Sequence, residues 1–198
     1  MKNLFFLFCF YLLLLPFGMK AQEAADASKS GPMKPALLVI DIQNAFLPYM
    51  SEEDKKNALE VIKAAVAVFH KHNLPVIRIY HQDPKWTPAE NSEEFQFPKS
   101  VEVADSDPKV IKHYANAFTG TNLDKVLRDL KVNTLFLCGL SATACVLATY
   151  FGGEEHDYQE FMLKGGLISS DSKRTEFIET TYDGISYTTM SFMLDKLH

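Results

Sequence analysis

Three side chains have the types and positions to do chemistry together: a carboxylate, a lysine and a thiol, each just past an apolar run. Asp41 follows Ala36-Leu37-Leu38-Val39-Ile40, and Lys112 follows Val110-Ile111. Cys145 follows Leu135-Phe136-Leu137-Cys138-Gly139 across a turn of small residues. A thiol that opens a helix faces unpaired N–H groups and the positive end of the helix dipole, which favour thiolate. Acid, lysine and thiol at separate segment ends point to one active site with Cys145 as nucleophile. Rival chemistries have no pattern to stand on. The six histidines show no ligand spacing beyond His70/His72, an i,i+2 helical pair that faces different sides, so no metal is expected. There is no G-x-S-x-G elbow, no phosphate-cradling glycine loop and no dinucleotide fingerprint.

The elements that must position these groups can be read from hydrophobic periodicity. Pro35 to Ile40, Val76 to Tyr80, Val110-Ile111, Thr134 to Cys138 and Tyr158 to Leu163 read as strands, the first as a continuous apolar run suited to burial on both faces. Ala58, Val61, Ile62, Ala65, Val66 and Phe69 recur at helical spacing behind Ser51 and a first turn of acids. Further helices are expected after Thr121, over about 144–154, and from Thr175 to Tyr182, with a short strand over Ser186 to Met190. Gly152-Gly153 and Gly165-Gly166 read as helix-end and strand-end turns. Strands alternating with helices predict an α/β, three-layer Rossmann-like fold: a mainly parallel central sheet flanked by helices on both faces. In such sheets ligands bind at the carboxyl ends of the strands, where Asp41, Lys112 and Cys145 fall. Residues 82–108 have no period and carry four prolines with Trp86, Phe95 and Phe97. Such a loop either walls a pocket or is a surface excursion held by its aromatics.

Residues 1–21 have the make-up of a signal peptide: Lys2, an almost wholly apolar Leu4 to Leu15, the break Pro16-Phe17-Gly18, and Ala21 at the cut. The apolar run is shorter than the ~20 residues of a spanning helix, so export to the periplasm or outside is expected, without stable membrane association. Residues 22–34 read as a flexible lead and 35–198 as one domain. Net charge is −5, and about −7 without Lys2 and Lys20, with no basic stripe. Nucleic acid is therefore a poor partner. Without Cys9 the chain keeps two cysteines, too few for a disulfide framework. Cys138, inside a strand, reads as a buried small hydrophobe.

At the three chemical positions the sequence resembles the isochorismatase-like cysteine hydrolases, which include nicotinamidases, carbamoylsarcosine amidohydrolases and ureidoacrylate or biuret hydrolases. Val39-Ile40-Asp41-Ile42-Gln43-Asn44-Ala45-Phe46 is similar to their V-D-x-Q-x-x-F opening. Lys112 through Ala117-Phe118-Thr119-Gly120-Thr121-Asn122-Leu123 is similar to K-x-x-x-x-A-F-x-G-T-x-L, and Gly139 through Cys145-Val146 to G-x-x-x-x-x-C-V. The resemblance spans about residues 35–170. It implies a catalytic triad in which Cys145 attacks a carbonyl, Asp41 moves the thiol proton and Lys112 stabilises the charge. It implies a cis peptide at Leu140–Ser141 that aims backbone N–H groups at an oxyanion. It implies Phe46 at the substrate site, and Gln43 lies beside it; His81 and Trp86 join them by location alone. The expected activity is hydrolysis of a small amide or ureide C–N bond through a thioester, without cofactor, by a homo-oligomer acting on a small molecule. Isochorismatase-type vinyl-ether hydrolysis and non-catalytic binding are the alternatives. Two departures stand out: Ala142-Thr143 replaces the usual Thr-Asp of the turn, and the nicotinamidase metal histidines are absent.

Overall fold

The computed structural model describes residues 31–197. The expected signal segment 1–21 and residues 22–30 of the expected lead lie outside them. Residues 32–34 are held rather than loose: Asn133 accepts from the Lys34 N–H at 2.8 Å and donates to the Pro32 carbonyl at 3.1 Å.

The six strands among the described residues are β1 (Pro35–Ile40), β2 (Val76–His81), β3 (Lys109–Lys112), β4 (Thr134–Leu140), β5 (Gln159–Ile168) and β6 (Gly184–Ser186). They form one sheet in the order β3-β2-β1-β4-β5-β6, every pairing parallel. The chain starts in the middle, runs outward through β2 and β3, then crosses to β4. The order therefore reverses between β1 and β4, where a parallel sheet leaves a crevice outside its strand ends.

Alternation along the strands feeds two cores. Leu37, Val39, Phe136 and Cys138 face α1 (Glu52–Lys71) and α5 (Tyr187–Leu194). Ala36, Leu38, Ile40, Leu135 and Leu137 face α2 (Leu123–Asp129), α3 (Leu147–Glu155) and α4 (Ser172–Thr181). The fold is thus three-layered α/β. Close approach of β1 and β4 needs Gly139. Its φ is +115°, and a Cβ there would collide with the Ile40 carbonyl.

Four local expectations change. β5 does not stop near Leu163. It continues to Ile168, taking up Gly165-Gly166 as a bulge that shifts its register against β4 between Leu137 and Gly139. Gly152-Gly153 lies inside α3, because Glu160 packs where a Gly153 side chain would be. Ser186 to Met190 is not a strand. The Ser186 hydroxyl accepts from the Thr189 N–H at 3.1 Å and caps α5, whose Met190 and Leu194 enter the core. The helix expected over 144–154 is split: a π-helical turn covers Ala142–Val146 before α3 begins.

Candidate active site

Each chemical residue sits at a strand end beside the crevice. Asp41 leaves β1 with φ +53°, a left-handed conformation that aspartate tolerates better than most residues. Lys112 is the last residue of β3, His81 the last of β2, and Cys145 lies in the π turn after β4. Phe46 and Trp86 come from the loops after β1 and β2. The long 82–108 segment has both of its expected roles. Phe95 and Phe97 are buried and stack on Tyr80 at 5.4 and 4.2 Å, while Trp86 lines the cavity. Carbonyls of Glu94 and Gln96 accept from the Ala45 and Asn44 N–H groups at 2.8 and 2.9 Å, so this loop also straps the segment behind Asp41.

Lys112 Nζ lies 2.7 Å from Asp41 Oδ2, and both residues are essentially inaccessible to solvent (0 and 1% exposed). The same ammonium donates to His81 Nδ1 at 3.1 Å and to the Tyr114 carbonyl at 3.2 Å. An ammonium has three N–H donors and no acceptor. All three are therefore used, and His81 Nδ1 must be an acceptor, which leaves the ring proton on Nε2. Burial and the nearby Lys112 charge hold the His81 pKa down to about 4, so the ring is neutral. It stacks on Trp86 at 5.3 Å and meets Phe46 edge-on.

Asp41 Oδ1 is buried without a hydrogen-bond partner, and the Cys145 thiol lies beside the carboxylate. Burial raises the Asp41 pKa to about 6 against the opposing pull of Lys112. The thiol is also pushed up, to about 11, first by burial and then by the Asp41 charge. Cys145 is therefore a thiol at neutral pH, not the standing thiolate that a helix N-terminus would favour. It lies a turn ahead of α3, half-buried beside a carboxylate, and these effects outweigh Lys112. The thiol proton can pass from sulfur to Asp41 with no change in the cluster's total charge.

Ala144 and Val146 N–H groups both donate to the Ser141 carbonyl, at 3.0 and 3.2 Å, so the turn brackets Cys145. The Leu140–Ser141 peptide is cis. Ala142 is buried in the core and Thr143 is exposed, so these two residues shape the turn without entering the cavity. Cys138 is apart from all this: it is buried, its thiol donates to the Leu38 carbonyl at 3.4 Å, and burial pushes its pKa far up.

A cavity of about 360 Å³ opens over these groups, lined by Asp41, His81, Ser141 and Cys145 on its polar side. Phe46, Trp86 and Leu140 line it as well. Gln43 does not. It is fully buried, and its amide accepts from the His81 N–H at 2.8 Å and donates to the His81 carbonyl at 3.2 Å. Its role is to clamp the end of β2 to the segment after β1. Tyr49, Met50 and Ala115 line the cavity without having been singled out in the sequence. Tyr49-Met50 closes the 3-10 turn Leu47–Tyr49 just after Phe46, and that proximity to a motif is the one signal they carry.

Asp41, His81 and Cys145 hold a carboxylate oxygen, a ring nitrogen and a sulfur within 4.8 Å of one another, a spacing a cation could use. Lys112 already serves two of these groups, so a metal would compete with a resident ammonium.

Residues 35–184 match the Isochorismatase domain family model. The uncharacterized isochorismatase family protein YddQ of Bacillus subtilis is 29% identical over 133 residues, 64% of this chain and 73% of that protein. A cysteine hydrolase from Pseudomonas syringae pv. phaseolicola shares the fold with a TM-score of 0.73 at 17% identity, over 85% of this chain and 95% of that one. N-carbamoylsarcosine amidase from Thermoplasma acidophilum does so with a TM-score of 0.66 at 23% identity, over 78 and 95%.

Proposed function

Given that the chain belongs to the isochorismatase family of hydrolases, we propose that it is a cysteine amidohydrolase that cleaves a small amide or ureide through a thioester on Cys145. The observation that carries this reading is the division of labour at Asp41. One carboxylate oxygen is fixed by Lys112 at 2.7 Å, and the other is buried without a donor while the Cys145 thiol lies beside the carboxylate. That is the arrangement of a general base awaiting one proton.

Sulfur attacks the carbonyl carbon as the thiol proton passes to Asp41, and the carbonyl π electrons move to oxygen. The turn around Ser141–Cys145 offers backbone N–H groups to that oxyanion, donors worth about 3–4 kcal/mol of barrier in comparable sites. The C–N bond breaks as Asp41 returns the proton to the leaving nitrogen. Water then attacks the thioester carbonyl as Asp41 takes one of its protons; the C–S bond breaks, the proton passes to sulfur, and the acyl group leaves as the carboxylic acid. Lys112 transfers nothing: it keeps the carboxylate in place and offsets whichever of Asp41 and Cys145 carries the negative charge.

A panel of amides and ureides assayed for ammonia release tests the reading. Turnover that disappears in Cys145→Ala supports it; undiminished turnover in that variant sinks it. Export through residues 1–21 and a homo-oligomeric state belong to the same proposal, and cell fractionation and solution mass address them.

A further inference from the structure

The walls of the cavity select the acyl group. Phe46, Tyr49, Met50, Trp86 and Leu140 present aromatic and aliphatic carbon, and among the described residues Asp41 is the one charged side chain in the lining. The nearest cation is unavailable to a ligand. Lys112 is fully buried, and its three N–H groups are committed to Asp41, His81 and the Tyr114 carbonyl. The polar groups left for a substrate on the aromatic side are the neutral His81 ring, with its proton on Nε2, and the hydroxyl of the solvent-exposed Tyr49. Phe46, Trp86 and His81 form one contiguous aromatic wall, with ring centroids 5.3–6.5 Å apart.

Resting on the amidohydrolase reading, we propose that the substrate is an uncharged hydrophobic carboxamide, an aryl amide above all, and not a carboxylate-bearing amide or a polar ureide. A flat ring packs against the aromatic wall, and a single acceptor on the acyl side meets His81 Nε2–H. A substrate carboxylate would lose its water beside Asp41 without gaining a cation, and desolvating an unpaired charge is heavily unfavourable. A second ureide amide would lie against carbon with its donors unpaired. A volume of about 360 Å³, near the lower end for ligand pockets, limits the acyl group to roughly one ring with a short substituent.

The test compares benzamide and phenylacetamide with terephthalamate, succinamate and N-carbamoylglycine on the full-length protein. The expected kcat/KM for benzamide is at least about 100-fold above that for terephthalamate, its carboxylate-bearing counterpart. In Cys145→Ala, calorimetry should find saturable benzamide binding at least about tenfold tighter than terephthalamate binding. Equal or better turnover of terephthalamate, succinamate or N-carbamoylglycine through Cys145 overturns this inference and leaves the amidohydrolase reading standing. No benzamide binding in Cys145→Ala overturns it as well. No turnover of any compound, with wild type and Cys145→Ala alike, removes both.

Discussion

Replacing Lys112 by methionine keeps most of the buried volume and deletes the charge. In the native protein Asp41 sits at a pKa of about 6 even with the ammonium 2.7 Å away. Relative to its ordinary value of 3.8, the folded protein binds this proton more tightly than the unfolded chain does. Folding stability therefore falls as pH rises through the window from 3.8 to about 6, by about 3 kcal/mol in all. Without Lys112 the carboxyl rises past neutrality, so the window extends upward and the loss continues above pH 6. Breaking a buried pair costs about 3–5 kcal/mol while the remaining charge persists. At pH 5 Asp41 is protonated in both proteins, so Lys112→Met should lose only what the hydrogen bonds of Lys112 to His81 and the Tyr114 carbonyl supplied, about 1–3 kcal/mol. At pH 8 the loss should be about 3 kcal/mol greater, a further 6–12 °C or so in Tm for a domain of this size. Thermal scans at the two pH values, paired with kcat/KM at pH 7, read both halves. Activity should fall by roughly ten- to thirtyfold, because about 3 kcal/mol of added proton affinity leaves only several per cent of the base ionised. An equal Tm loss at both pH values, or near-normal activity, would refute the idea that Lys112 acts by keeping Asp41 ionised.

The pH profile of kcat/KM should rise through about 6 as Asp41 ionises and decline as Cys145 deprotonates toward about 11; an acid limb near pH 4 would contradict the burial argument. Iodoacetamide should label Cys145 slowly at pH 7 and faster toward pH 10, with Cys138 silent throughout; rapid labelling at pH 7 would mean a standing thiolate. Gln43→Leu leaves the His81 N–H and carbonyl without their partners and should cost about 2 kcal/mol in denaturant unfolding, with a raised KM; unchanged stability would show that the clamp is dispensable.

Much of the site could be placed from sequence because parallel strands advertise their ends. Continuous apolar runs located Asp41, Lys112 and Cys145 at carboxyl ends, and βα alternation brought those ends to one edge of the sheet. The strand order, with its reversal between β1 and β4, depends on which faces pack together, and no local pattern encodes that. Motif residues proved uneven guides. In the segment after Lys112, Ala117 and Thr121 serve the backbone: Thr121 donates to the Ala117 carbonyl at 2.6 Å and accepts from the Leu123 N–H at 3.1 Å. Gln43 looked like a substrate contact because it lies beside Phe46, but its face of the segment turns inward to β2. The thiolate expectation failed for a related reason. A helix N-terminus is visible in sequence, whereas the depth of burial of Cys145 and its closeness to Asp41 are tertiary facts. The Gly165-Gly166 pair shows the same limit, since a glycine pair reads as a turn unless a neighbouring strand is there to accept the bulge.

Covalent catalysis by Cys145 is tested most directly by rapid acid quench during turnover of an amide substrate, followed by intact-mass and peptide analysis. One acyl group per chain should appear on the peptide carrying Cys145, labile to hydroxylamine as a thioester is, and absent in Cys145→Ala. Turnover at the wild-type rate with no adduct on Cys145, or an adduct on another residue, would contradict it.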